Sequence, residues 1–321
     1  MIIFCIRWFS CMSMNQSVLI CDQVAPILND ILQKNGLKIT YEPEITPDQI
    51  KEKIGNFDIV VVRSRTKITK EMIDKTSKCK IIARVGVGLD NIDVDAAKTK
   101  GIRVINAVEG AMNAVAELVL GLMLSLSREI PRADREIRNG KWLKKELMGT
   151  ELSGKYLGIV GLGNIGKKLA KHARALNMNI IGYDVIPIPE DFSREVGLIK
   201  ADLDTLISSA DYISFHVPFT ESTHHLVNSQ LLAKMKKNAC LINTSRGEIM
   251  DEDALYDALK EGKIAGAALD VFESEPATGN KLTTLPNVIC TPHIGAQTKE
   301  AQALAANVIA EKIIMILRGV I

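Results

Sequence analysis

NVICTPHIGAQT sets His293 directly after a short apolar run, between Pro292 and Gly295, in a 321-residue chain with only five histidines. Two other apolar runs end in chemically useful residues. ACLINTS leads into Arg246-Gly247, and AGAAL leads into Asp270 and then Glu275-Pro276. Such runs read as buried strands of a parallel sheet, and open sheets of this kind bind ligands beyond the carboxyl ends of their strands. A guanidinium can grip a carboxylate with two parallel hydrogen bonds and polarise a neighbouring carbonyl. An imidazole can give or take a proton at the reacting oxygen, and a carboxylate beside it fixes its orientation and favours its charged form. Arg246, Glu275 and His293 together suit hydride exchange on a 2-keto or 2-hydroxy acid. Taken singly, each has a plainer reading: a solvated arginine, a surface-turn acid, a capping or core histidine. Their shared placement speaks for the chemistry.

LGIVGLGNIGKKLA supplies the second constellation, Gly161-x-Gly163-x-x-Gly166 between an apolar strand and a helix. The pattern alone recurs by chance in loops, and a glycine-rich turn without a dinucleotide is the alternative. Here NIIGYD follows, and Asp184 ends that next strand 18 residues after Gly166. The glycines permit a tight turn and close approach to a pyrophosphate at the helix N-terminus, while Asp184 would accept hydrogen bonds from the adenine ribose hydroxyls. Asp184 would repel a 2′-phosphate and Val185 offers no compensating cation, so the expected cofactor is NAD.

The elements that must position these residues alternate between strand and helix. From SVLICD to IRVINA the sequence reads as one α/β unit, and from KYLGIVG the alternation restarts. Between them Ala111–Arg138 reads as one long helical passage whose first half is apolar all round, which demands burial on every side. The last segment, TKEAQALAANVIAEKIIMILRG, is strongly helical. The expected fold is α/β with two doubly wound parallel-sheet domains: a Rossmann domain, residues 109–296, inserted into a flavodoxin-like substrate domain, residues 15–108 and 297–321. Residues 1–14 are set apart as an extension whose natural start is Met12 or Met14.

Hydrophobic residues at 47%, charged residues at 24% and a net charge of +2 describe an ordinary globular chain, without a basic block for nucleic acid. The longest apolar stretch, Leu118–Leu126, is too short to span a bilayer. The six cysteines show no zinc-type spacing and lie mostly in apolar runs, which fits a reducing, cytoplasmic setting. His224 and His225 are adjacent, so in a strand or helix they would diverge, and no metal site is expected.

GLGNIG, Asp184, NTSRG, ALDVFESEP and PHIGA, in this order and spacing, resemble the D-isomer-specific 2-hydroxyacid dehydrogenases. The resemblance implies catalytic roles for Arg246, Glu275 and His293. It implies cofactor contacts from Val87, Gly161, Gly163, Asn164, Ile165, Gly166, Asp184, His216, Val217, Thr244, Ser245, Asp270, Gly295 and Ala296. Substrate groups would come from Arg63 and Ser64 in the 63–66 loop and from Arg84, Gly86 and Val87, besides Arg246 and His293. VRSRTK, RVGVGLDNID, NAVEGAMNAVAEL and GKWLKKELMGTELSGK look most like the branch that oxidises 3-phospho-D-glycerate in the first step of serine synthesis. Arg63, Arg65, Arg84 and Lys144 are then the candidate cations for the substrate phosphate. Reduction of hydroxypyruvate or glyoxylate, and NADH sensing without turnover, are the alternatives. Many members of that branch carry a C-terminal regulatory domain that binds serine. The sequence stops at Ile321, so serine feedback of that kind is not expected. Helix 111–128 resembles the family's dimerisation arm, which implies a homodimer.

Overall fold

The computed structural model describes residues 15–321, and the extension expected over residues 1–14 lies outside the described residues. The described chain forms two units. One comprises the residues up to Ala111 together with Thr298–Ile321, and the other is Met112–Gln297.

In the first unit, β1 (Ser17–Ile20), β2 (Lys38–Tyr41), β3 (Ile59–Val62), β4 (Ile81–Arg84) and β5 (Arg103–Asn106) form a parallel sheet of order β2-β1-β3-β4-β5. This is the flavodoxin-like order. The run IVVV of β3 is buried throughout because successive side chains feed two cores. Ile59 and Val61 pack with Leu28, Leu32, Ile309 and Ile313, whereas Val60 and Val62 pack with Ile50, Ile54, Met72 and Ile73. The C-terminal helix Lys299–Leu317, its first turn capped by Thr298, thus covers one face of a sheet that begins almost three hundred residues earlier.

In the second unit, β6 (Tyr156–Val160), β7 (Asn179–Tyr183), β8 (Ile199–Lys200), β9 (Tyr212–Phe215), β10 (Cys240–Asn243), β11 (Gly266–Leu269) and β12 (Val288–Cys290) form a parallel sheet of order β12-β11-β10-β9-β6-β7-β8. The order reverses between β6 and β9, which is the Rossmann switch point. The two-residue edge strand β8 had no sequence signal of its own; a pair of residues is too short to show alternation.

The helical passage expected over 111–138 comprises two helices, the first ending at Arg128, where the apolar helix 111–128 was expected to end. Val108–Arg128 and Ile130–Arg138 are separate helices, broken at Glu129, whose φ of 49° is left-handed. Val108–Arg128 is also, among the described residues, the one helix long and apolar enough by length and composition to cross a membrane. Its apolarity is accounted for on one side only: Ala116, Val119, Leu122 and Met123 pack into the core with Leu157 and Ile159, while Leu124 is exposed.

Ile309 is fully buried in the first unit's core. Ile309→Ala is expected to destabilise that unit by about 2–5 kcal/mol, read as a lower urea midpoint with an unchanged slope.

Candidate active site

Strand β6 turns into the helix Asn164–Ala175 through Gly161, Leu162 and Gly163. Gly161 has a φ of 94°, and a Cβ there would come within 2.6 Å of the His216 carbonyl oxygen. A Cβ on Gly166 would lie 2.1 Å from the Gly161 carbonyl oxygen. Both positions therefore require glycine for close packing. Gly163 caps the helix, and the space where its Cβ would sit is open. Asn164 and Ile165 open the helix, so unpaired backbone N–H groups and the positive end of its dipole meet that open space. The Asp184 carboxylate lies against this loop, accepting from Leu162 N at 2.6 Å and from Ile186 N at 2.9 Å. Thr244 Oγ1, beyond β10, is buried without a hydrogen-bond partner. A dinucleotide fits this set: glycines for approach, an N-terminus for phosphate, a carboxylate for ribose and an orphaned hydroxyl to satisfy.

Beyond β11 and β12 the structure brings Glu275 and His293 into contact, with Nδ1 2.8 Å from Glu275 Oε2. A carboxylate only accepts, so Nδ1 carries the hydrogen and Nε2 is left as the nitrogen that can accept a proton. His293 is about half exposed and therefore reachable. Its backbone is left-handed, with a φ of 52°, a conformation that non-glycine residues hold only when surroundings impose it. Asp270 imposes it. This carboxylate is 1% exposed, and it accepts from Thr291 Oγ1 at 2.5 Å, Ile294 N at 2.8 Å and Gly295 N at 2.8 Å, while its backbone oxygen accepts from His293 N at 2.9 Å. Asp270, expected to contact the cofactor, also holds the loop that carries His293 through these bonds. A Cβ on Gly295 would press to 3.1 Å from Asp270 Oδ2, which explains the small residue. Ala296 follows directly.

Arg246 follows β10, and its half-buried side chain donates to Ser245 O at 2.6 Å. The buried Asn243 shapes this turn, accepting from Ser245 N and Oγ and donating to Arg246 O. Gly247 lies so close to the Phe272–Glu273 backbone that a Cβ would fall 1.9 Å from the Phe272 carbonyl carbon. That contact draws the Arg246 turn against the segment bearing Glu275. Val217 packs beside Gly161.

In the first unit, Arg63 and Ser64 sit on a loop organised by Asp22, a residue sequence reasoning missed. Its carboxylate, 2% exposed, accepts from Arg63 N at 2.5 Å, Thr66 N at 3.3 Å and Thr66 Oγ1 at 2.7 Å. Its signal was present: Asp22 follows an apolar strand as Asp270 does. Arg65, expected as a phosphate cation, instead pairs with Asp22 and donates to the carbonyls of Cys21, Pro43 and Ile45. Burial lowers the pKa of Arg63 against the opposing pull of Asp22. The Arg84 guanidinium folds over Gly86, where a Cβ would meet it at 2.5 Å, and Val87 O accepts from Asn106 Nδ2. Lys144 lies exposed on the second unit.

His224 and His225 do not diverge as expected. His225 is left-handed, with a φ of 47°, and the rings stack with centroids 4.0 Å apart. No group of three metal-ligating side chains occurs among the described residues.

Residues 120–295 match the model for D-isomer specific 2-hydroxyacid dehydrogenase, NAD binding domain. The chain is 48% identical over 301 residues to D-3-phosphoglycerate dehydrogenase of Methanocaldococcus jannaschii, covering 91% of this chain and 57% of that protein. It is 47% identical over 286 residues to hydroxypyruvate reductase of Thermotoga maritima, covering 88% of this chain and 92% of that protein. The chain belongs to the D-isomer specific 2-hydroxyacid dehydrogenase family. D-lactate dehydrogenase of Aquifex aeolicus, solved with NAD and lactic acid, superposes with a TM-score of 0.82 at 30% identity, covering 95% of this chain and 96% of that one. The chain spans a little over half the length of the phosphoglycerate dehydrogenases it matches, 57% for the archaeal protein above.

One residue beside the glycine loop gives a pH signature. His216 directly follows β9, with its backbone against Gly161 and its Nε2 2.9 Å from Ser214 Oγ, and burial pushes its pKa from 6.5 down to about 4. The folded protein refuses this proton until about pH 4, whereas the unfolded chain takes it near 6.5. Stability is therefore lost as pH falls through that window. In a His216→Gln variant, the stability curve from urea titrations is expected to be flatter there.

Proposed function

We propose that this chain oxidises 3-phospho-D-glycerate to 3-phosphooxypyruvate with NAD. The observation that carries the reading is the His293–Glu275 contact, which leaves Nε2 as the free basic atom on an exposed imidazole. His293 takes the proton of the C2 hydroxyl, and Glu275 stabilises the imidazolium that forms. Arg246 holds the substrate carboxylate through paired hydrogen bonds and polarises the carbonyl as it develops. Bound NAD supplies the hydride acceptor at its nicotinamide ring. Asp184 binds the adenine ribose and disfavours NADP. Thr244, Ser245, His216, Val217, Gly295, Ala296 and Val87 complete the cofactor's surroundings. Arg63, Ser64, Arg84, Gly86 and Val87 are assigned to the substrate, with Arg63 and Arg84 supplying charge for its phosphate. The similarity to the archaeal phosphoglycerate dehydrogenase supports that substrate.

A second reading, hydroxypyruvate reduction, is favoured by one observation: the Thermotoga relative of that name is matched over 92% of its length. A rate comparison of 3-phosphoglycerate with glycerate, lactate, hydroxypyruvate and glyoxylate separates the two. The proposal expects the phosphorylated substrate to lead, and higher kcat/KM for hydroxypyruvate would replace it. His293→Ala is expected to lower kcat by about 10²–10⁴ with NADH affinity retained. Near-full turnover would remove the mechanism, and tight NADH binding without turnover on any substrate would favour a sensor.

The protein is assigned as a cytoplasmic homodimer. Cys21, Cys79, Cys240 and Cys290 are free thiols, which suits a reducing compartment. Within the stretch 118–150, Leu124, Ile130, Ile137, Trp142 and Met148 are exposed, Trp142 at 77% and Met148 at 86%, an apolar surface suited to a second copy. Sedimentation should give a dimer, and Ile137→Glu should shift it to monomer; a monomeric unaltered protein refutes this assignment.

A further inference from the structure

The segment Glu273–Pro276 carries Glu275, yet all four of its residues are exposed. Close packing reaches only its first residue, where Gly247 lies against the Glu273 backbone. The segment's backbone freedom must be limited by polar ties, or the carboxylate would spend its time away from His293. Glu275 Oε1 accepts from Phe272 N at 3.3 Å, and Glu273 N donates to Glu252 Oε1 at 3.0 Å. The strongest remaining tie is Glu273 Oε1 to His225 Nε2 at 2.5 Å.

His225 is itself fixed. Its N–H donates to Glu248 O at 3.0 Å, its carbonyl accepts from Asn228 Nδ2 at 3.2 Å, and its ring stacks on His224, which meets Phe219 edge-on. Glu248 lies two residues beyond Arg246, so the histidine is tied to the stretch that supplies the guanidinium. The arrangement repeats that of the proposed catalytic pair. Both histidines are left-handed, and the carboxylates they hold are two residues apart on one exposed segment.

We propose that the His225–Glu273 pair is a positioning latch that holds the 273–276 segment so that Glu275 stays on His293 Nδ1. This rests on the reading of His293 and Glu275 as the acid–base pair. His225 and Glu273 touch no reacting atom; they act through Glu275.

The test uses the full chain with Glu273→Ala, His225→Asn, the double variant and Glu273→Gln. Asparagine tolerates the left-handed backbone, and glutamine keeps an acceptor for the imidazole. Glu273→Ala and His225→Asn are expected to lower kcat about tenfold with KM for NAD unchanged. The double variant should be no slower than either single one, and Glu273→Gln should restore most of the rate. Nitrogen-15 NMR of the ring should show the His293 Nδ1 hydrogen bond weakened in Glu273→Ala and kept in Glu273→Gln. Undiminished kcat in both single variants, losses that multiply in the double variant, or an unchanged His293 signal would overturn the latch. If His293→Ala turns over normally, the underlying acid–base reading falls; if it is inactive while the latch variants are fully active, only the latch does.

Discussion

Asp270 is a carboxylate with almost no exposure, and burying such a charge is expensive unless donors surround it. Three donors do, and all belong to the 291–295 loop that follows β12. The cost of desolvation and the conformation of that loop are thereby one problem with one solution. Releasing the loop would leave a buried charge short of partners, so the left-handed backbone of His293 is held by something stronger than its own preference. Remove this carboxylate and His293 has no reason to point its Nδ1 at Glu275. The site's geometry descends from this interaction.

The parallel sheet supplies the other requirement. Since all seven strands of the second unit run the same way, Arg246, Asp270 and His293 all follow carboxyl ends on one edge. The glycine loop follows β6, beside the point where strand order reverses. Close packing then does the fine placement. Gly247 against Phe272 sets the arginine turn beside the glutamate segment, and Gly161 against His216 sets the cofactor loop beside β9. Neither approach tolerates a methyl group.

What could be read from the sequence follows the strength of each local signal. Apolar strands between amphipathic helices gave away both sheets, because a strand buried on both faces must be apolar throughout. The Gly161–Gly166 loop, Asp184 and the strand-end residues Arg246 and His293 were legible for the same reason: position after a strand is a strong constraint. The left-handed backbone of Glu129 between the two helices was not, since glutamate has no preference for that conformation. Nor was the stacking of His224 on His225, which depends on a left-handed residue that only tertiary contacts impose. Asp270 was found as a site residue, but its hold on the 291–295 loop was not, because sequence shows that a carboxylate follows a strand and not which donors turn toward it. Arg65 failed similarly: four structural partners absorb a side chain that looks available on paper.

Asp22 extends the argument to the first unit. It lies just beyond β1, as Asp270 lies just beyond β11, and each is almost fully buried. Each accepts backbone N–H groups and a threonine hydroxyl from the loop after the neighbouring strand, β3 in one case and β12 in the other. Loops at a sheet edge have few apolar contacts, so hydrophobic burial cannot set their main chain to the precision that chemistry needs. A desolvated carboxylate can, because it binds backbone donors directly and loses heavily if they depart. Such a charge tells a loop where to be without touching what the loop binds. On this reasoning the two domains, which differ in strand order and length, solve the same positioning problem with the same functional group.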